Sequence, residues 1–167
     1  ISVLSRDQVT LRFTRFPKAR REDALRMAFL EAEQHIPLPP AETVVGYEAL
    51  SGPSGGEGLR PVLIAAARKN VVEAHLALLE ELGLESSQIT IDSLCLYRLW
   101  KSRLGGEESA LLIDLGARKS VISSLADGLL HMTRAIDCAG EGLTSAFSHD
   151  LNCSLDEAER IKREEGL

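Results

Sequence analysis

In the stretch ALLIDLGARKS, residues 110–120, one carboxylate follows an apolar run and stands two residues before a glycine. Asp114 could hold a hydrated Mg²⁺ ion or orient a water molecule, because ligands bind at the carboxyl ends of strands in α/β sheets. The backbone N–H groups of Gly116, Ala117 and Arg118 could face phosphate oxygens. Asp and Gly are also the commonest residues of tight hairpin turns. Local spacing therefore leaves two interpretations open, a phosphate site and an ordinary hairpin.

The other side chains that could do chemistry are scattered. The histidines, at 35, 75, 131 and 149, lack metal-ligand spacing. Cys95, Cys138 and Cys153 are odd in number and contain no CxxC, which argues against a disulfide framework or a zinc site and fits a reducing cytosol. No serine lies in a GxSxG context, so no hydrolase triad is indicated.

Composition describes a water-soluble chain with enough apolar residues for a core. Of its 167 residues, 44% are hydrophobic and only 4% aromatic, which suits an α/β protein built from Leu, Ile, Val and Ala. The net charge of −6 argues against a nucleic-acid binder. A basic stretch at residues 6–26 is expected to be a solvated face. No apolar run approaches the ~20 residues of a membrane helix, and the first residue, Ile1, suggests a fragment of something longer.

Periodicity predicts alternating strands and helices up to residue 108. Strands are expected at 9–13, 42–50, 61–68 and 88–92, and helices at 22–34, 70–82 and 94–104. The first helix is expected to bury Leu25, Ala28, Phe29 and Ala32. The second is expected to begin with an Asn70–Glu73 cap, to bury Val72, Leu76, Leu79 and Leu82, and to end at Gly83. The glycine-rich stretch 51–58 is expected to be a flexible loop, and Gly105–Gly106 to end the third helix, which buries Tyr97 and Trp100.

After residue 108 the pattern changes to three short strands in succession, with a two-residue hairpin at Asp127–Gly128. A helix is expected over 140–151, with Leu143, Ala146, Phe147 and Leu151 on one face. A final helix starts at Ser154, whose box with Glu157 is an N-terminal signature. Its charged stretch, 156–166, is expected to be a solvent-exposed face.

Three stretches resemble the PilM family of type IV pilus assembly proteins, relatives of the division protein FtsA among the actin-like ATPases. They are EAEQHIPLPPAETVVGYEAL at 31–50, VLIAAARKNVVEAHLALLEELGLESSQITIDSL at 62–94, and LLIDLGARKSVISSLADGLLHMTRAIDCAGEGLTSAF at 111–147. The ending at 154–167 is similar to the family as well. The resemblance implies an α/β fold of the actin-like type, of which this chain would form a part.

The resemblance also implies a domain arrangement. Residues 1–16 would end the first-half core, 17–92 would form an inserted small α+β domain of the SHS2 type, 93–108 would be a returning helix and linker, and 109–167 would open the second half. The first phosphate hairpin would precede Ile1 and the adenosine-contacting region would follow Leu167. What remains would be the second phosphate hairpin.

Within that hairpin the resemblance makes Asp114 the catalytic residue, which orients water and holds Mg²⁺ through water, and Gly116 the glycine that phosphate approaches. Ala117, Arg118, Lys119 and Ser120 complete the implied ATP-binding turn. Lys119 stands where the family has a hydroxyl residue, with Ser120 one place later. An ammonium can pair with phosphate, but it cannot replace a hydroxyl in a Mg²⁺ shell, so ATP binding in the full-length protein is expected while hydrolysis stays open.

Three functions follow from the resemblance. The first is a cytoplasmic adaptor of type IV pilus or related type II secretion assembly, bound at the inner membrane through partners. It would dock a cytosolic peptide of a membrane protein such as PilN in a groove between the first-half core and the inserted domain. The second is an active ATPase. The third is an FtsA-like division scaffold that forms homo-oligomers.

Overall fold

The computed structural model describes residues 1–50, 58–104 and 109–165. The strands are β1 (Ser2–Leu4), β2 (Val9–Pro17), β3 (Thr43–Ala49), β4 (Leu59–Arg68), β5 (Ile89–Ile91), β6 (Ala110–Leu115), β7 (Ser120–Ala126) and β8 (Leu129–Ile136). The helices are α1 (Arg21–His35), α2 (Lys69–Glu81), α3 (Asp92–Leu104), α4 (Gly140–Leu151) and α5 (Leu155–Glu164). Every predicted element is present. Apart from Gly58, the predicted glycine-rich loop lies outside the described residues, as does the Gly105–Gly106 helix end.

β4 is the centre of the first antiparallel sheet, whose strand order is β2-β4-β3. Val62, Ile64 and Ala66 of β4 pack on the side of α1, while Leu63 and Ala67 belong to a second core on the opposite side. This confirms the predicted strand at 61–68, and its continuous apolar run reflects the fact that both of its faces are covered.

The buried face of α1 differs from the predicted one. Ala24, Ala28 and Ala32 are buried, whereas Leu25 and Phe29 are 45% and 41% exposed. The three alanines form one row at i, i+4 spacing, and their small side chains let the helix backbone approach the sheet closely. The prediction for Leu25 and Phe29 was therefore wrong by about one position around the helix.

α2 begins and packs differently from the prediction. Its N-cap is Arg68, whose side chain makes no capping bond, so the predicted cap at Asn70 is wrong. Only Val71 and Val72, near its start, pack against the core. Leu76 and Leu82 are 42% and 62% exposed, so the predicted buried stripe is wrong at these two positions, whereas Leu79 is half-buried. Gly83 ends the helix with φ +66°, as predicted.

β6, β7 and β8 form an antiparallel meander with β6 at one edge. Asp127 and Gly128 both have positive φ, which confirms the predicted two-residue hairpin. One face of this sheet packs Leu125 and Leu130 against Tyr97 and Trp100 of α3.

The opposite face of β6 is open. Its outward residues, Leu111, Ile113 and Leu115, are 59%, 54% and 72% exposed. Leu112, which points to the other face of the sheet, is half-buried and packs against the core.

A half-buried arginine links the start of the chain to the meander. Arg6 donates from Nε and Nη2 to the carbonyl oxygen of Thr133, at 3.3 and 3.1 Å, and from Nη1 to that of Val9 at 2.6 Å. Burial lowers the pKa of this guanidinium from its ordinary value. In the described part of the chain, every helix is too short or too polar to cross a membrane.

Candidate functional site

The turn between β6 and β7 is closed by glycine. Gly116 donates its N–H to the carbonyl oxygen of Lys119 at 3.2 Å. A Cβ at position 116 would lie 2.5 Å from that same oxygen, a separation that real Cβ atoms essentially never show. Tight closure of the turn therefore requires glycine here.

Helix α4 abuts this turn with its N-terminus. The N–H groups of Gly140 and Glu141 donate to the carbonyl oxygens of Gly116 and Ala117 at 3.0 and 2.7 Å. The first N–H groups of a helix have no partner inside the helix. Two of those in α4 fix the position of the turn, and so they are already bonded.

Asp114 lies at the end of β6, on the same sheet face as Leu112, and is exposed. Within the described residues its carboxylate has no hydrogen-bond or ion-pair partner, and the N–H groups of Ala117 and Arg118 donate to no other group. These groups, with the exposed Arg118 side chain, could bind an anion and its hydrated cation.

Lys119 is held between two carboxylates. Its Nζ lies 2.9 Å from Asp137 Oδ1 and 3.5 Å from Asp7 Oδ2. The hydrogen bond and charge of Asp137 raise the Lys119 pKa. A hydrogen bond from Ser5, with the nearby Lys119 charge, lowers the pKa of Asp7. An open cavity of about 530 Å³ lies between Ser5, Asp7 and Gln8 and the turn residues 117–119.

The Ser120 hydroxyl is turned inward. Ser120 is 1% exposed, and its Oγ donates to the carbonyl oxygen of Cys138 at 2.5 Å. This bond ties the start of β7 to the segment that enters α4. The structure thus brings together Asp114, Gly116, Ala117 and Arg118 at the turn, while the polar groups of Lys119 and Ser120 are bonded elsewhere.

A second cation beside the turn escaped the sequence analysis. Lys162 of α5 donates from Nζ to Glu159 Oε2, Thr144 Oγ1 and the carbonyl oxygen of Gly140, at 2.5, 2.8 and 3.1 Å. Hydrogen bonds from Lys162, then Thr144 and Arg163, lower the pKa of Glu159 to about 2. The prediction of a solvent-exposed face is wrong for Lys162, whose side chain is 19% exposed. Only the i, i+3 spacing of Glu159 and Lys162 was readable from sequence.

An apolar groove of about 200 Å³ runs along the outer edge of β3. Consecutive residues of β3, 44–48, form one wall, and Ile89, Ile91 and Leu94 belong to the other. Leu63 and Ala67 of β4 contribute to its floor. Gly46 leaves space, since a Cβ there would meet no atom within 4 Å. Glu48 accepts a 2.6 Å hydrogen bond from Arg98 Nη2 of α3 at one end of the groove.

The sequence profile of the type IV pilus assembly protein PilM matches residues 3–167, nearly the whole chain.

The chain belongs to the PilM family.

Curated relatives include the cell division protein FtsA of Bacillus subtilis, 27% identical over 158 residues, which cover 87% of this chain and 36% of that protein. FtsA of Enterococcus faecalis is also 27% identical, over 128 residues. The chain therefore spans 36% and 29% of the length of these two curated relatives.

Two solved structures, of a pilus protein and of a secretion protein, align with nearly the whole of this PilM-family chain. A structure of the PilM-PilN type IV pilus biogenesis complex aligns with a TM-score of 0.80 and 28% identity, over 98% of this chain and 50% of the other. The cytoplasmic domain of EpsL, an inner-membrane component of the Vibrio cholerae type II secretion system, aligns over 91% of this chain and 55% of the other with a TM-score of 0.51 and 16% identity. The predicted fold class is confirmed.

Proposed function

We propose that this chain is the docking portion of a cytoplasmic adaptor for type IV pilus assembly, which binds a short cytosolic segment of an inner-membrane protein such as PilN. The apolar groove along β3 carries the proposal. The structural likeness to a PilM that was solved together with PilN supports the choice of partner.

The groove has the two properties that a bound peptide needs. β3 pairs only with β4 among the described strands, so its outer edge has backbone groups available for an added strand. The walls are mainly aliphatic, and Val44 is 42% exposed beside the open space at Gly46. An extended peptide would therefore hydrogen-bond to β3 and bury alternate apolar side chains between β3 and β5.

This assignment goes together with a proposed domain arrangement. The resemblance implies the end of the first-half core at 1–16, the inserted domain at 17–92, the returning segment at 93–108 and the opening of the second half at 109–167. We assign β2 to the inserted sheet, β2-β4-β3, and β5 to the first-half core, because β2 pairs with β4 along its whole length and β5 pairs with β1. The groove then lies between the inserted sheet on one side and β1, β5 and α3 on the other. The family resemblance implied a groove between the first-half core and the inserted domain, and we propose that this is the same groove.

A titration with a fluorescent peptide of the cytosolic segment of PilN from the same organism tests the proposal. Gly46→Phe fills the groove at a position with free space, and we expect it to weaken peptide binding at least tenfold. Gly142→Phe is the matched control, because its Cβ would also meet no atom within 4 Å but lies on α4. Equal affinities of both variants and the unmodified chain, or no binding by any of them, would reject the proposal.

We further propose that a longer form of the protein binds ATP and Mg²⁺ against the β6–β7 turn. Asp114 would hold Mg²⁺ through water, while Gly116, Ala117 and Arg118 would face the phosphates. Lys119 could contribute its charge only by leaving Asp7 and Asp137, and Ser120 only by leaving Cys138. The unpartnered N–H groups at 117 and 118 support phosphate binding, whereas the inward hydroxyl of Ser120 disfavours hydrolysis.

The FtsA relatives favour a second candidate, a scaffold that assembles into homo-oligomers. Sedimentation of the longer protein with Mg²⁺ and ATP distinguishes the two. Filaments that pellet only with nucleotide would favour the scaffold, and a monomer that binds the PilN peptide would favour the adaptor.

A further inference from the structure

Six exposed cations lie where β2 ends and β4 begins, and on the first two turns of α1. We call them the basic end: Arg15, Lys18, Arg20, Arg21, Arg26 and Arg60. None of the six forms an ion pair with another described residue. The other two cations of the basic stretch at 6–26 are engaged elsewhere. Arg12 pairs with Glu31 at 2.7 Å, and Arg6 is bonded to backbone carbonyls.

Tertiary structure creates this cluster. The register of β2 and β4 pairs Phe16 with Arg60, so a cation from a distant part of the sequence joins those around the start of α1. Only two described carboxylates, Glu22 and Asp23, lie among the cations in the sequence. The basic end therefore has a local charge opposite to the net −6 of the whole chain.

Apolar side chains continue the basic end along α1. Leu25, Phe29 and Leu30 are 45%, 41% and 56% exposed. Basic groups beside exposed aliphatic and aromatic groups are typical of surfaces that rest on anionic lipid, where cations meet headgroups and apolar groups enter the interface.

The basic end also lies toward one end of the peptide groove. Glu48, which lines the groove, pairs with Leu63 of β4, three residues from Arg60. Three residues of a strand span roughly 10 Å. A segment of a membrane protein that leaves the groove past Glu48 would run toward the basic end.

We propose that the basic end rests on the anionic cytoplasmic leaflet while the groove holds the membrane partner. This inference goes beyond the proposed function, because the local positive charge of the six cations meets an anionic surface whether or not a peptide fills the groove. A bound partner would add to it by raising the local concentration of the chain at the membrane. The six cations would then orient the groove toward the membrane.

Co-sedimentation with vesicles tests the inference. Vesicles of phosphatidylcholine are compared with vesicles that also contain phosphatidylglycerol, at low and physiological salt. We expect binding only to the phosphatidylglycerol vesicles, weakened by salt. Each cation near an anionic leaflet contributes about a fivefold change in partitioning, so the triple variant Lys18→Gln, Arg20→Gln, Arg21→Gln should bind roughly 100-fold more weakly.

The matched control is the triple variant Arg68→Gln, Arg103→Gln, Arg134→Gln, which removes the same charge from three exposed sites elsewhere. We expect it to bind vesicles nearly as well as the unmodified chain. An equal loss in both triple variants, or no binding to phosphatidylglycerol vesicles, would overturn the inference. Capture on polyglutamate without vesicle binding would also overturn it and assign the basic end to an acidic protein.

Peptide titrations on the same variants separate this inference from the proposed function. The triple variant of the basic end should bind the PilN peptide with unchanged affinity. Vesicle binding that depends on the basic end, in a chain that does not bind the peptide, would reject peptide docking and leave the lipid surface standing.

Discussion

A methyl group at position 116 would lie 2.5 Å from the backbone carbonyl oxygen of Lys119. Gly116 also donates its N–H to that oxygen and accepts a hydrogen bond from Gly140 of α4. The turn that carries the candidate phosphate groups and the start of α4 therefore form one hydrogen-bonded unit around a single glycine.

Gly116→Ala is expected to lower the free energy of unfolding by about 1–3 kcal/mol, because the backbone of the turn must move to admit the methyl group. Urea denaturation measures this change. Gly46→Ala is the control, since its methyl group meets open space, and it should be neutral or slightly stabilising. An unchanged unfolding midpoint for Gly116→Ala would show that the turn is looser than described.

Ser120→Ala is expected to lower the free energy of unfolding by about 1–3 kcal/mol, because it removes a buried donor and leaves the carbonyl oxygen of Cys138 without that bond. Thermal unfolding followed by circular dichroism measures it. Ser124→Ala on the same strand is the control, since Ser124 is only half-buried and its hydroxyl makes no hydrogen bond among the described residues. Equal melting temperatures for the two variants would refute the structural role of Ser120.

The contact between α4 and α5 is expected to weaken in acid. The folded-state pKa of Glu159, about 2, lies below its ordinary value of 4.5. The stabilisation is therefore fully present above pH 4.5 and is lost as the pH falls toward 2. Carbon-13 NMR of the Glu159 carboxyl should give its titration directly, and Glu159→Gln should remove this part of the acid dependence of stability.

Glu164→Gln provides the control for that experiment. Glu164 pairs with Arg160 on the same helix, but both side chains are more than half exposed. We expect Glu164→Gln to leave the acid transition of the α4–α5 contact in place. A Glu159 carboxyl that titrates at its ordinary value would disprove the network.

Calorimetry with ATP and Mg²⁺ is expected to show binding by a longer form of the protein and none by this chain, because residues 109–165 supply one turn of the implied site. Asp114→Ala in the longer protein should reduce binding in Mg²⁺ much more than binding in EDTA. Asp150→Asn, an exposed carboxylate on α4, should change neither. If neither form binds ATP, the turn at 114–120 is a structural hairpin in an adaptor.

Sequence by itself determined the order and type of the elements. Four local signals carried this information: the alternation in VTLRF, the continuous apolar run at 61–68, the Asp127–Gly128 turn and the Ser154 cap. Each depends on the conformational preferences of residues that are close together in the sequence. Resemblance to the PilM family added the fold class, which the structural comparison confirmed.

Tertiary structure alone decided which faces are buried and which polar groups remain available. The alanine row of α1 is buried instead of Leu25 and Phe29 because close approach to the sheet favours small side chains. Lys119, Ser120 and Lys162 each bond to a group that lies 18 or more residues away, in Asp137, Cys138 and Gly140 respectively. Arg60 joins the basic end through strand register. Such contacts depend on how elements pack, which no local spacing encodes.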